Sequence, residues 1–289
     1  GTETLGSIVS PADRTGIAGL RPTFGRVSRA GAMALCWSLD KVGPMCRHVE
    51  DTAIVLDVLN GYDVRDPSSI DMGFRYDGRL ASDNLVVGID PRWFEGEAAT
   101  PTDLAALRAL RAAGLTVREI RLPEFPVEEI MAPLFVESAA AFEELTLSGR
   151  DDTLRRQIAN AWPNAFRQAR YFSAVDYVQA DRLRRRAMEM AHDFFRQVDV
   201  VFGPSFDNPM LRLTNFAGHP CLVMRAGFEP HRSRPLFDHP EDEADPVLHH
   251  VPRSVCFWAG LFEEDKLVRI GRALETALGV AGERPPQFS

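Results

Sequence analysis

A serine in a glycine-rich turn lies close to the start of the chain, where Gly6 precedes Ser7 and Pro11 follows. Turns of this composition present backbone N–H groups beside an exposed hydroxyl. Acyl transfer needs that combination, because the hydroxyl attacks a carbonyl carbon and the N–H groups stabilise the oxyanion that forms. An ordinary loop is the competing interpretation, since Gly, Ser and Pro are also the usual residues of turns.

The region 85–122 carries the clearest signals for the framework around this turn. Apolar runs at 85–89 and 115–122 predict strands, and Thr100-Pro101 between them predicts the start of a helix. A strand, a helix and a strand of this length form a βαβ unit with parallel strands. No G-x-G-x-x-G motif follows the first strand, so we exclude a dinucleotide site there.

Apolar periodicity predicts the other elements. The expected helices span 49–60, most of 126–170, 173–198 and 263–278, and the expected strands span 199–204, 221–224 and 251–258. Residues 205–208, which follow a strand, are a candidate pocket wall. The segment 62–84 is expected to be a surface excursion. The segment 229–250 is expected to be an exposed loop whose histidines, His231, His239, His249 and His250, are spaced too irregularly for a metal site.

Other polar side chains have ordinary structural interpretations. We interpret His48 as a surface residue without a second ligand at metal-binding spacing. His219, beside a proline, is interpreted as a structural residue of a turn. Solvated helix faces are expected for three acids and four arginines, namely Glu137, Glu143, Glu144, Arg182, Arg184, Arg185 and Arg186.

The composition is that of an ordinary globular protein. Of the 289 residues 45% are hydrophobic and 26% are charged, and the formal net charge is −8. This acidity argues against broad binding of nucleic acids or anionic membranes. The four cysteines form no C-x-x-C pair, which favours free thiols and a cytoplasmic location, and no apolar run is long enough to span a membrane.

Several short motifs follow one another in a fixed order. They are G-T-E-T-L-G-S at 1–7, Pro11-Ala12, G-L-R-P-T at 19–23, G-R-V-S at 25–28, S-L-D-K-V-G-P at 38–44 and T-N-F-A-G-H-P at 214–220. Together they resemble the amidase signature family. The resemblance is dense over 1–63, sparse in the middle of the chain, and returns from about residue 199 onward.

The resemblance implies an α/β fold with a mixed β-sheet sandwiched between helices. It also implies that Ser7 is the nucleophile, and that the backbone N–H groups of Thr4, Leu5, Gly6 and Ser7 form the oxyanion hole. In this chemistry, which resembles a variant of the serine triad, the serine attacks an amide carbonyl, the amine leaves, and water hydrolyses the acyl-enzyme. Neither a metal nor an organic cofactor is implied.

The chain departs from the family pattern at two residues and in one segment. Leu5 and Val9 stand where the family has Gly and Arg. In the family a lysine acts as base through a bridging serine, and both lie upstream of the serine loop. Lys41 and Lys266 are the only lysines here, and neither matches that motif. We therefore expect an N-terminally truncated member that does not hydrolyse simple amides by itself.

The predicted domain covers residues 1–289, with a catalytic serine-loop segment at 1–63, a variable and mostly helical substrate-side region at 64–198, and a C-terminal sheet and helix at 199–281. Amide hydrolysis is the predicted function. Two alternatives stay open: the A-type subunit of a glutamyl- or aspartyl-tRNA amidotransferase, and a non-catalytic α/β binding or scaffold protein. The expected partners are a small amide substrate and either a second copy, as a homodimer, or amidotransferase subunits, with no direct nucleic-acid contact.

Overall fold

A mixed β-sheet forms the centre of the computed structural model, which describes residues 1–78, 84–96, 99–126, 128–205, 209–232 and 247–284. The strands are β1 (Thr2–Glu3), β2 (Ala18–Arg21), β3 (Lys41–Val42), β4 (Met45–Cys46), β5 (Val86–Ile89), β6 (Thr116–Glu119), β7 (Val200–Pro204), β8 (Cys221–Arg232) and β9 (Leu248–Ala259). The helices are α1 (Val9–Thr15), α2 (Val49–Leu59), α3 (Pro101–Ala112), α4 (Ala132–Ala141), α5 (Glu143–Leu147), α6 (Trp162–Ala169), α7 (Ala174–Phe195), α8 (Pro209–Ala217) and α9 (Glu264–Leu278).

The main sheet has the strand order β4-β2-β8-β9-β7-β5-β6. Strand β5 runs parallel to β6 and β7, whereas the other neighbours are antiparallel. The predicted βαβ unit is confirmed. Its helix α3 begins with a capping box, in which the side chains of Thr100 and Asp103 each accept a bond from the other residue's backbone N–H.

The two faces of the sheet bury different helices, because successive side chains of a strand point to opposite sides. Leu222 and Met224 of β8 pack with α2, α3 and α9. Cys221 and Val223 of the same strand pack with α1, α4, α7 and α8. The predicted α/β fold, a mixed sheet between two helical layers, is confirmed.

Two helices lie where the sequence predicted none. Helix α1 begins only two residues after Ser7, within the segment interpreted as a turn, and it contains Pro11. Proline is compatible with the first turn of a helix, since the N–H groups there have no helical acceptor. Helix α8 covers much of the motif at 214–220, which the sequence suggested as an approach to a strand.

The prediction of a loop at 229–250 is wrong for the residues of this segment that the structure describes. Strand β8 continues to Arg232 and β9 begins at Leu248, so that His231, His249 and His250 belong to a long antiparallel pair. All three histidines are exposed, as expected. His239 lies outside the described residues.

Candidate active site

The serine turn leads directly into α1. Ser7 is exposed, and the carbonyl oxygen of Gly6 accepts a hydrogen bond from the Ser10 N–H at 2.7 Å. Gly6 has φ +92°, in the left-handed region that favours glycine. Leu5 has no positive φ, and its half-buried side chain packs against the core beside α1. The leucine that departs from the family pattern is therefore accommodated without backbone strain.

Backbone donors are free beside the serine hydroxyl. Within the described part of the chain, no acceptor receives a hydrogen bond from the N–H groups of Leu5, Gly6 or Ser7. The next two N–H groups, of Ile8 and Val9, donate to Glu3 Oε2 at 2.9 and 3.0 Å. Three of the four N–H groups expected in the oxyanion hole, those of Leu5, Gly6 and Ser7, therefore have no acceptor among the described residues.

Glu3 joins the serine turn to a buried polar network. Its Oε1 accepts from Arg21 Nη1 at 2.8 Å and from Asn215 Nδ2 at 2.9 Å. Arg21 Nη2 also donates to Thr214 Oγ1 and to the His219 carbonyl, both at 2.8 Å. Burial favours a raised pKa for Glu3, but Arg21 and the hydrogen bonds outweigh it and hold the pKa at about 2. The motif at 214–220 thus stabilises the serine turn through its hydrogen bonds to Arg21 and Glu3.

Ser7 lines a cavity of about 660 Å³. The cavity is lined by the serine turn, by β3 with the residue before it, and by two loops; its lining consists of Thr2, Thr4, Ser7, residues 29–35, Trp37, residues 40–42 and residues 65–68. Polar and apolar atoms share this surface, as is typical of small-molecule sites.

Two of the three cations in the cavity wall are already paired. Arg29 binds Asp66 through two side-chain hydrogen bonds of 3.1 Å, and its ring contact is with Phe24 at 4.9 Å. Arg65 is paired with Asp63 at 2.8 Å. Lys41, in contrast, lies within salt-bridge distance of no carboxylate among the described residues.

Lys41 is the functional candidate that sequence reasoning missed. It lies opposite Glu3 in the β1–β3 pair and is only 2% exposed, and its Nζ donates to the Leu39 carbonyl. Burial, reinforced by repulsion from Arg21, lowers the pKa of Lys41 to about 7. Lys41 was set aside in the sequence because it does not match the upstream lysine motif of the family. A signal was available, because one of only two lysines stands inside the S-L-D-K-V-G-P segment.

The solvated-face prediction is wrong for Glu137 and Arg184. Glu137 is half-buried and accepts from the Ser38 N–H at 2.9 Å and from Ser38 Oγ at 2.6 Å. Arg184 donates to Ser38 Oγ at 2.7 Å and to the Ser38 carbonyl at 2.8 Å. The loop around Ser38 packs onto α4 and α7, and its buried polar groups need these partners. The remaining members of the predicted set, Glu143, Glu144, Arg182, Arg185 and Arg186, are exposed as expected.

The other candidate residues lie away from the serine cavity. His219 is buried and stacks on Phe195 with ring centroids 4.6 Å apart, and burial lowers its pKa to about 3. Its structural interpretation is consistent with this packing. Ser205 is buried and does not line the cavity, and residues 206–208 lie outside the described residues.

The described residues offer neither a metal cluster nor a membrane-spanning helix. No three of their His, Cys, Asp or Glu side chains are placed together to hold a metal ion. None of their helices combines the length and the apolarity needed to cross a membrane. The predicted free thiols are confirmed for all four cysteines.

The fold and the site define an α/β protein built around a serine turn that opens into a cavity. The chain belongs to the amidase family, whose model matches residues 1–226. The resemblance noted in the sequence is therefore confirmed.

Named relatives agree with this assignment. The A subunit of glutamyl-tRNA(Gln) amidotransferase from Methylococcus capsulatus is 35% identical over 325 residues, a match that covers 96% of this chain and 63% of the relative. An amidase family protein from Bacillus anthracis has a similar fold, with a TM-score of 0.75 at 22% identity over 99% of this chain and 57% of that one. The peptide amidase from Stenotrophomonas maltophilia gives 0.74 at 24% identity over 100% and 63%. The chain thus spans roughly three fifths of the length of these relatives.

Proposed function

We propose that this chain carries the nucleophilic half of an amide hydrolase. Ser7 Oγ attacks an amide carbonyl carbon in the cavity. The backbone N–H groups of Thr4, Leu5, Gly6 and Ser7 stabilise the oxyanion. The observation that carries the proposal is the exposed hydroxyl of Ser7 beside N–H groups that have no acceptor among the described residues.

The reaction then proceeds through an acyl-enzyme. The amine leaves as the C–N bond breaks, and water hydrolyses the ester formed on Ser7. The family pattern places its lysine and bridging serine upstream of the serine loop, so full activity on simple amides requires such a segment. Covalent labelling of Ser7 reports on the nucleophile directly and does not require turnover, so it is the more sensitive measurement.

A fluorophosphonate that reacts with activated serines tests the proposal. We expect one adduct per chain, located at Ser7 by peptide mapping, and no adduct in Ser7→Ala. Ser10→Ala is a matched control, because Ser10 lies three residues further along and does not line the cavity. An adduct at another serine, or amide turnover that persists in Ser7→Ala, contradicts the assignment. An unreactive Ser7 favours the scaffold alternative.

A second candidate function is that of the A-type component of an amidotransferase. It is favoured by the Methylococcus relative, which is named as the A subunit of glutamyl-tRNA(Gln) amidotransferase. In that case the ammonia released at Ser7 passes to an acceptor held by partner subunits instead of being released into the solvent. Co-expression with the remaining subunits of such a complex, followed by size-exclusion chromatography, distinguishes the two functions, since an independent hydrolase elutes without them.

A further inference from the structure

The outer ends of β8 and β9, residues 230–232 and 248–250, bring two histidines together. His231 lies directly opposite His249 in the antiparallel register, although the two are far apart in the sequence. Residues in this relation have their Cβ atoms about 4.5–5.5 Å apart on one face of the sheet. Both histidines are exposed, so a small ligand in solution can reach the two imidazole rings at the same time.

A hydrogen bond orients the ring of His231. Its Nδ1 lies 2.6 Å from the carbonyl oxygen of Arg232. A carbonyl oxygen can only accept, so Nδ1 carries the proton of the neutral ring and Nε2 presents a lone pair. Histidines that bind metals almost always use one ring nitrogen as the ligand while the other donates to a carbonyl, a carboxylate or water. The His231 ring therefore has the arrangement of a metal ligand that binds through Nε2.

A carboxylate lies on the same face of the two strands. Alternate residues of a strand point to the same side, so Glu229 shares the face of His231. Glu229 Oε1 accepts from the Thr102 N–H at 3.0 Å. Burial favours a raised pKa for Glu229, but hydrogen bonds from Thr100 and Thr102 outweigh it and lower the pKa. The carboxylate is therefore ionised at neutral pH, and its negative charge favours a cation near the histidine pair.

Two imidazoles at this spacing suit a divalent transition metal. Two Zn–N bonds of about 2.0–2.1 Å in a tetrahedral site place the nitrogens roughly 3.3 Å apart. Rotation about the side-chain bonds can bring two directly opposite histidines to that separation. Imidazole is a ligand for Zn²⁺, Cu²⁺ and Ni²⁺, whereas Mg²⁺ and Ca²⁺ prefer oxygen. The pair supplies two ligands and water supplies the others, which is consistent with the lack of a three-residue metal cluster among the described residues.

We propose that His231 and His249 together bind one divalent transition-metal ion, represented by Zn²⁺, and that the ion ties the outer end of β8 to that of β9. The last three residues of β8 and the first three of β9 are exposed, so the ends of the two strands lie beyond the core. Little packing holds them together there, and a bound ion adds a cross-link. The ion stabilises the paired strands because it binds both rings only when the strands are in register.

Isothermal titration calorimetry with Zn²⁺, on the whole 289-residue chain without an affinity tag, tests the site. We expect one Zn²⁺ per chain. His231→Ala and His249→Ala each remove a ligand and should weaken binding at least about tenfold, since loss of a residue that only supports a ligand already costs about 10–100-fold. His250→Ala is the matched control. The ring of His250 stacks on Phe228 with centroids 4.8 Å apart, on the opposite face of the strand, so this variant should bind Zn²⁺ like the wild type.

Hydrogen exchange gives a second readout that does not depend on affinity alone. Zn²⁺ should slow amide exchange at the outer ends of β8 and β9 in the wild type and in His250→Ala, but not in His231→Ala. The proposal is overturned if the wild type binds no Zn²⁺, if His231→Ala and His249→Ala bind it as tightly as the wild type, or if His250→Ala weakens binding as much as they do. None of these measurements involves Ser7, so their outcome is independent of the proposed function.

Discussion

At the scale of single residues, the shape of the serine turn depends on Gly6. Its φ of +92° lies where a side chain costs about 1–2 kcal/mol, although the Cβ itself would have room at 3.4 Å from Leu211. We expect Gly6→Ala to lower the free energy of unfolding by that amount and to slow labelling of Ser7. Gly73→Ala is the control, with no positive φ and nothing within 4 Å, and it should change stability by less than about 1 kcal/mol in urea denaturation. Equal effects of the two substitutions would refute the backbone argument.

Glu3 is the residue on which the buried network depends. Glu3→Gln keeps its shape but leaves Arg21 as an uncompensated buried charge, and we expect a loss of about 3–5 kcal/mol in unfolding free energy. The folded pKa of Glu3 is about 2, against an ordinary value of 4.5. The stabilisation by the charged form is therefore complete above pH 4.5 and is lost as the pH falls through about 2.

Chemical denaturation at several pH values measures this effect. The difference between the wild type and Glu3→Gln is expected to be constant above pH 4.5 and to shrink below it. Glu144→Gln is the matched control, because among the described residues the Glu144 side chain pairs only with exposed Arg150 and should contribute less than about 1 kcal/mol. A difference that does not vary with pH would contradict the assignment of this stabilisation to the charge of Glu3.

Sequence reasoning singled out the proposed nucleophile but not its surroundings. Ser7 was identifiable because several motifs follow it in a fixed order. The network of Glu3, Arg21 and Asn215 joins residues up to 212 positions apart, and no local spacing reveals such contacts. Lys41 was missed for a related reason, since its lowered pKa arises from burial and from repulsion by Arg21, both of which only the tertiary structure creates.

At the scale of elements, two helices hold in place the loop around Ser38, which precedes β3 and lines the cavity. Glu137 of α4 and Arg184 of α7 both bind Ser38, three residues before Lys41. Arg184 also disfavours the charged form of Lys41 through repulsion. The two helices therefore affect the position of the loop and the charge of the amine.

Arg184→Met tests this coupling. Loss of the guanidinium is expected to raise the pKa of Lys41, so the inflection in the pH titration of the Lys41 side-chain carbon signal in NMR spectra moves to higher pH. Arg182→Met serves as the control, because Arg182 is exposed on the same helix and bonds only to Gln179 among the described residues. The coupling is wrong if both variants keep the wild-type inflection, or if Arg184→Met moves it to lower pH.

Elements with strong local signals were predicted correctly, and those that depend on tertiary contacts were not. Helix α3 has a capping box, a proline in its first turn and regular apolar spacing, so its position was clear from the sequence. Helix α1 has only 7 residues and depends on Glu3, which binds its first N–H groups. Strands β8 and β9 extend beyond their apolar runs because each satisfies the backbone groups of the other.

At the scale of the whole molecule, the described surface includes an apolar face on α2 and the residues after it. Ile54 and Val58 lie one helical turn apart, and Val58, Tyr62 and Val64 are 81%, 61% and 79% exposed. Scattered exposed apolar residues are normal in globular proteins, but a contiguous group favours contact with another protein surface. We therefore propose this α2 face as a surface on which a second copy of the chain packs.

We expect this α2 face to make copies of the chain associate. In sedimentation velocity, the weight-average sedimentation coefficient of the wild type should rise with concentration, whereas that of the double variant Val58→Ser and Tyr62→Ser should stay nearly constant, because the substitutions remove apolar area without changing charge. Leu147→Ser is the control, since Leu147 is 67% exposed on α5 and its loss should leave the association unchanged. A wild type that sediments as a monomer at every concentration, or a double variant that associates as the wild type does, would show that this face does not drive contact between copies.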